Sequence, residues 1–426
     1  MEFNVSKQVF AHIDCDCFYA SCELMRDPKL RDKSVCVWGD IIITSNYNAR
    51  KYGVKVGTPI WEATRMIPKR EFVMLPPDMS FYGKVSDRMH QFLLQWANGI
   101  ERFSIDESWV DITGIATYKW MTEHQFAQFL QAEILQKVGI PVSIGVSNTR
   151  LRAKILSEIH KPMWICVGVD SPGFLQNAWW LDFWDIPFIW PASQEKLKYK
   201  VNNGNIAGFL RIWFWPLKDI LWKNGTDVWL ELRGVNMFHP KRQKTEKSIS
   251  ATRSFNDHKT SNKAFVWEHL LMNFERAYER LIDKNLETNH IIITFRDKDL
   301  SVFGQDKKLP RHTQRKKEII DTISTLFERT YSPDIVYRTT GIVFSGLEKN
   351  TPKQYSLEEQ AYIAELIQDQ KLEKIINDIN RKFWRRTVSR AWSGSFDPRY
   401  MSEHLEDINV NSEYQRLSGF MAMNLM

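Results

Sequence analysis

The spacing of apolar residues changes along the chain, and the changes mark its elements. Val9-Phe10-Ala11-His12-Ile13-Asp14 is a short apolar run ending on a carboxylate, and it reads as the first strand. Residues 18–83 form a compact block punctuated by the turn chemistry of Gly39-Asp40, Gly53 and Gly57-Thr58-Pro59. A helix around 82–97 and a strand pair around Arg102–Ile112 come next. Phe126, Leu130, Ile134 and Val138 recur at helical spacing, which predicts an amphipathic helix over Glu123–Lys137. Val142-Ser143-Ile144-Gly145-Val146 predicts a buried strand, and Arg150–His160 a further helix. This alternation predicts an α+β arrangement, an antiparallel sheet backed by helices.

Residues 174–240 differ in character. They hold eight of the 17 tryptophans: Trp179, Trp180, Trp184, Trp190, Trp213, Trp215, Trp222 and Trp229. Short helices around an aromatic-rich core are expected here, ahead of an aromatic partner surface. Residues 248–345 read as β-α-β-β-α-β, a split-βαβ plan able to fold by itself. Residues 346–426 are polar and partly helical, and no solenoid-type repeat is found.

Composition narrows the class. With 426 residues, 43% hydrophobic and 26% charged, the chain fits a globular protein of two to four domains rather than a disordered or collagen-like one. No run of about 18 uncharged apolar residues predicts a membrane span, and the first residues lack the pattern of a secretory signal. Cys15, Cys17, Cys22, Cys36 and Cys166 contain no CxxC pair, so reduced thiols and a cytoplasmic location are expected. The net charge is +7, and it is uneven. Lys298–Lys317 and Lys371–Arg390 each carry seven Lys/Arg against two acids. On charge alone, a polyanion partner and two solvated basic faces both stay open. The first window is expected on the central strand of the split-βαβ unit, the following loop and the start of its second helix.

The chemistry centres on Asp14, at a strand end, and Asp106-Glu107, at a hairpin bend in Phe103-Ser104-Ile105-Asp106-Glu107-Ser108-Trp109. Strand-end acids from neighbouring strands can converge, and converged carboxylates repel unless cations lie between them. Hard oxygen donors favour magnesium, and two such ions support in-line phosphoryl transfer. Acids that end strands for solubility are the alternative. Tyr47 and Arg50 lie three apart, on one helix face, and His160-Lys161-Pro162 ends a helix with a cation. An Arg fork with a Lys point charge is what a triphosphate needs.

Together these motifs resemble the Y-family translesion DNA polymerases. The matching segments are His12-Ile13-Asp14-Cys15-Asp16-Cys17-Phe18-Tyr19-Ala20-Ser21-Cys22-Glu23 and Asn46-Tyr47-Asn48-Ala49-Arg50-Lys51-Tyr52-Gly53-Val54. Pro59-Ile60-Trp61-Glu62-Ala63, Tyr82 with Ser86, and Ser104-Ile105-Asp106-Glu107 continue them. Ser143-Ile144-Gly145-Val146-Ser147-Asn148, Ala153-Lys154 and Lys161-Pro162 complete the set, in family order. Glu231-Leu232-Arg233-Gly234, Thr252-Arg253-Ser254-Phe255 and Asp397-Pro398-Arg399-Tyr400 are similar to the UmuC-like branch.

The resemblance implies a right-hand polymerase of the α+β class. It has a ferredoxin-like palm (1–17 and 84–172), small fingers (18–83), a helical thumb (173–240), a separate β-α-β-β-α-β little finger (247–347) and a C-terminal extension (348–426). It implies that Asp14, Asp106 and Glu107 hold two Mg²⁺ ions with the Cys15 main-chain carbonyl. Tyr47, Arg50 and Lys161 would hold the dNTP triphosphate. Phe18 and Tyr19 would lie under the sugar, Tyr19 as the steric gate against a 2′-hydroxyl. Primer–template DNA would meet Arg253, Lys307, Lys308, Arg311 and Lys316. Gln354 and Leu357 are the candidate contacts to a sliding clamp, and a UmuD-like accessory subunit and a recombinase filament are further implied partners; no membrane partner is expected. The implied reaction is translesion synthesis without proofreading, with a catalytically silent DNA-binding paralogue as the alternative; a nucleotide cyclase would want a Gly-Gly-acid hairpin instead. The chain departs from the family at Ile186-Pro187-Phe188-Ile189-Trp190-Pro191, where a Gly-rich hairpin usually binds phosphate through backbone N–H groups that proline lacks. It departs again at Met163-Trp164, where a glycine usually follows.

Overall fold

The computed structural model describes residues 7–39, 41–201, 204–237, 246–255 and 259–350, together with Lys371, Leu372, Ile375, Asp378 and Ile379. The chain divides into two compact units, 1–242 and 243–426. In the first unit the strands are β1 (Phe10–Cys15), β2 (Ser34–Trp38), β3 (Ile42–Ser45), β4 (Phe72–Leu75), β5 (Gly99–Arg102), β6 (Glu107–Asp111), β7 (Val142–Ser147) and β8 (Ile165–Gly168).

Five of these make one sheet in the order β5-β6-β1-β7-β8. Neighbours are antiparallel except β7 and β8, which run parallel. The expectation of a purely antiparallel sheet is thereby corrected. The helix Arg150–Glu158 connects β7 to β8, and a parallel pair requires such a crossover.

β1 is buried along its whole length, so both sheet faces are covered. Strand alternation sorts its residues between them. Ala11, Ile13 and Cys15 join Ile144 and Val146 in a core with Val85 and Met89 of the helix Met79–Leu93, and with Phe126, Leu130 and Ile134 of the helix Glu123–Lys137. Thr122 and Gln125 form a capping box that starts the latter. His12 and Asp14 face the opposite way, toward the helix Arg150–Glu158, where His12 Nδ1 lies 2.8 Å from Ser157 Oγ. Gly145 stands opposite His12 in the β1–β7 register. A Cβ there would collide with Ala153 O and Ser157 N. The glycine therefore lets this helix approach the sheet backbone, close enough for Lys154 and Glu158 to reach the acids of β1 and β6.

A second, three-stranded sheet has the order β3-β2-β4, over a small core that includes Cys36, Ile42, Ala49 and Ala63. Asn46 caps the short helix Tyr47–Arg50 by accepting from Ala49 N, and it also accepts from Val35 N, which ties the helix to β2.

Residues 171–232 are helical as expected, in Ser171–Ala178, Pro191–Leu197, Ile206–Leu210 and a longer Phe214–Leu232. The tryptophans do not make its core. Phe174, Phe183, Phe209, Leu217 and Leu221 fill it, packed on Leu151 and Leu156. Among the described tryptophan side chains of 174–240 only Trp229 is buried; Trp179, Trp180, Trp184, Trp190, Trp213 and Trp215 are 40–81% exposed. The expected aromatic-rich core is thus corrected, because a thin layer of mostly short helices has room inside for phenylalanines and aliphatics but not for many indoles. Arg152, fully buried, clamps the end of this region by donating to Leu232 O at 2.8 Å, Asn148 Oδ1 at 3.1 Å and Ser171 Oγ at 2.9 Å.

The second unit contains β9 (Ser248–Ser254), β10 (Leu286–Asp297), β11 (Val302–Thr313) and β12 (Tyr337–Lys349), an antiparallel sheet ordered β11-β10-β12-β9. The helices Lys263–Asp283 and Lys316–Thr330 pack Val266, Phe274, Ile319 and Ile323 onto Ile291, Ile293 and Phe295. The order of elements is the expected β-α-β-β-α-β. The basic window is placed differently: β11 is an edge strand, not a central one, and most of it is exposed. No helix among the described residues is long and apolar enough to cross a membrane.

Candidate active site

The β1–β6 register sets Asp14 directly opposite Glu107. Side chains of an opposed pair share a sheet face, so the two carboxylates are neighbours. Glu158 comes down from the crossover helix. Carboxylate oxygens of Asp14, Glu107 and Glu158 lie within 4.8 Å of one another. Two ammonium groups border them. Lys161 Nζ is 2.6 Å from Asp14 Oδ1, while Lys154 Nζ bridges Glu107 Oε1 at 2.7 Å and Glu158 Oε1 at 2.9 Å.

Burial tunes these groups. It pushes the Asp14 carboxyl up to about 6, although Lys161 pulls the other way. His12 is driven down to about 3 by burial and by Lys154, so its imidazole is neutral beside Glu107. Burial alone would raise Glu158, but Lys154 holds it below the usual carboxylate range. The set is a compact group of hard oxygen donors without His or Cys, and it fits a divalent cation of the magnesium type.

The other sequence-marked residues are placed as follows. The Asp106 carboxylate stands outside the three-acid group and accepts from Ser104 Oγ, and its carbonyl accepts from Cys15 N at 3.0 Å. Phe18 is buried in the palm core, whereas Tyr19 is half-buried and stacks flat on Tyr82 at 4.6 Å. Tyr82 is itself held by its hydroxyl donating to Glu23 at 2.7 Å. The Tyr47 hydroxyl is buried beside the Cys17 thiol, and Arg50 lies over the Tyr47 ring while its Nε donates to Ser45 O at 3.2 Å. In the second unit Arg253, Lys307, Lys308 and Arg311 are exposed. Lys307 and Lys308 are consecutive in β11 and project to opposite faces. Lys316 is buried and pairs with Glu275 at 2.9 Å. Gln354 and Leu357 lie outside the described residues.

Sequence reasoning missed Glu158, and gave no role to Lys154 or Asp16. The i,i+4 spacing of Lys154 and Glu158, just before Lys161, was the available signal. Phe188, in the loop that lacks the family's glycines, packs edge-on against Phe103 of the acid-bearing hairpin at 5.9 Å.

Known proteins give the same picture. Residues 13–158 match the model of the impB/mucB/samB family, and residues 246–357 match that family's C-terminal domain. A DNA polymerase IV of Fusobacterium nucleatum is 27% identical over 82% of this chain and 99% of its own length. That of Nitrosopumilus maritimus is 29% identical over 80% and 96%. Among solved structures, a Y-family DNA polymerase chimera of Dbh and Dpo4 superposes with a TM-score of 0.68 at 24% identity, over 80% of this chain and all of its own. An insertion ternary complex of Dbh DNA polymerase gives 0.56 at 23%, with the same coverage. The two family matches fall one in each unit, and the first spans Asp14, Glu107 and Glu158: the chain belongs to the impB/mucB/samB family, the Y-family DNA polymerases.

Proposed function

We propose that the protein carries out translesion DNA synthesis as a DNA-directed DNA polymerase. It adds dNTPs to a primer 3′-hydroxyl by phosphoryl transfer with two Mg²⁺ ions, and without proofreading. The observation that carries this reading is the convergence of Asp14, Glu107 and Glu158 with Lys154 and Lys161 at their side. Cations bound there would lower the pKa of the attacking hydroxyl and neutralise the triphosphate. Asp14 and Glu107 would hold them, with Asp106 and the Cys15 carbonyl alongside. Lys154 fixes the Glu107 carboxylate from one side.

Lys161, the Arg50 guanidinium and the Tyr47 hydroxyl receive the triphosphate in this reading. Tyr19, locked against Tyr82, presents a fixed ring to the sugar and leaves no space for a 2′-hydroxyl. Primer–template DNA meets the exposed cations Arg253, Lys307, Lys308 and Arg311, and a sliding clamp is a further partner of the same proposal. Primer extension with Mg²⁺ on intact and lesion-bearing templates tests it. Extension past the lesion is expected; DNA binding without any extension would favour the silent paralogue.

A further inference from the structure

The motif Asp14-Cys15-Asp16 offers two acids two residues apart, and the structure gives them different work. Asp14 faces the cluster. Asp16 is 1% exposed, and its carboxylate is committed elsewhere. Oδ2 accepts the Met163 N–H at 2.8 Å, and Oδ1 accepts the Ser143 hydroxyl at 2.9 Å. Ser143 Oγ in turn accepts the Trp164 N–H at 3.2 Å. Asp16 is itself fixed: its N–H donates to Pro141 O at 2.9 Å, and its carbonyl accepts from Ser21 Oγ at 2.5 Å.

The segment held in this way is the loop that carries Lys161. Met163 sits at φ 53°, in the left-handed region that side chains other than glycine disfavour. Such a conformation persists only where its surroundings impose it. The N–H at this strained residue is the one Asp16 holds, two positions after the lysine whose Nζ stands 2.6 Å from Asp14.

We infer that Asp16 is a positioning residue for Lys161, a carboxylate that ties the 161–164 loop to the end of β1 and presets the lysine for the incoming triphosphate. This rests on the reading of Lys161 as a triphosphate ligand. Presetting matters because a cation on a loose loop must be ordered at the moment of binding, and that ordering is subtracted from affinity.

The test is single-nucleotide incorporation by the full chain, with KM for dNTP and kcat measured separately. Asp16→Ala should raise KM by about 10-fold, the worth of one hydrogen bond to a charged group, with kcat changed far less. Asp16→Asn keeps an oxygen for the Met163 N–H and should stay within about 3-fold of wild type. Ser143→Ala removes only the serine half of the tie and should raise KM by roughly 3-fold, which carries the test should Asp16→Ala fail to fold. Asp16→Ala combined with Lys161→Ala should be no worse than Lys161→Ala alone, because both remove the same contact. An unchanged primer–template affinity excludes general damage. If Lys161→Ala raises KM while Asp16→Ala and Ser143→Ala do not, or if the double variant is additive, the inference is overturned and the triphosphate reading stands. If Lys161→Ala leaves KM unchanged, both fall.

Discussion

In the palm, buried Asp14 and half-buried Glu107 stand on the sheet beneath the crossover helix, which brings Glu158 to their exposed rim, and each acid lies beside an ammonium group. In the C-terminal sheet, Lys307 and Lys308 stand on an exposed edge strand, pointing to opposite faces. Both sheets carry helices and an apolar core, but they hold charge under opposite conditions. Away from water an ion pair depends steeply on geometry and tolerates no missing partner. In water each charge adds a small, screened increment. The palm should therefore fail through single substitutions and the edge strand only through several.

The largest expected effect breaks the palm at its backbone. Gly145→Ala forces the crossover helix off β7 and should cost about 3 kcal/mol, the upper part of the usual overpacking range, read as a lower urea midpoint. Next, Glu158→Ala leaves Lys154 with one carboxylate and should lower Mn²⁺ affinity and kcat by about 10- to 100-fold, as loss of an orienting partner does. Isothermal titration and single-turnover rates would show it; wild-type values would reduce Glu158 to a bystander. Tyr19→Ala should shrink the dNTP-over-rNTP preference by about 10-fold or more, since a ring stacked on Tyr82 no longer fills the space. The smallest effect lies at the edge strand. Lys307→Ala with Lys308→Ala should weaken DNA binding only a few-fold at moderate salt while flattening the salt slope by up to about 1.8. A loss at the scale of the palm variants would show that the edge strand holds a structured site instead of additive charge.

The legibility of the sequence follows the same division. Strand-end acids were readable because β1 is a short apolar run ending near Asp14, and because Asp106-Glu107 falls at a hairpin bend, where β6 begins. Glu158 was not, because only the close approach at Gly145 brings its helix to the sheet. The parallel β7–β8 pair depends on which strand the crossover returns beside, and local periodicity carries no trace of that. β11 was read as a short strand and a loop, because Gly304-Gln305-Asp306-Lys307-Lys308 has no apolar face; its ladder with β10 makes it a strand. Tryptophan count misled in 174–240, where composition states how much indole there is but not which side of a thin helical layer it occupies.

The central claim is that the acids of β1 and β6 carry phosphoryl transfer, and single-turnover nucleotide incorporation by Asp14→Asn and Glu107→Gln, with primer–template affinity measured on the same samples, tests it most directly. The account predicts a fall in rate on the order of 10³-fold or more with DNA affinity essentially unchanged. Incorporation at the wild-type rate by either variant would contradict it.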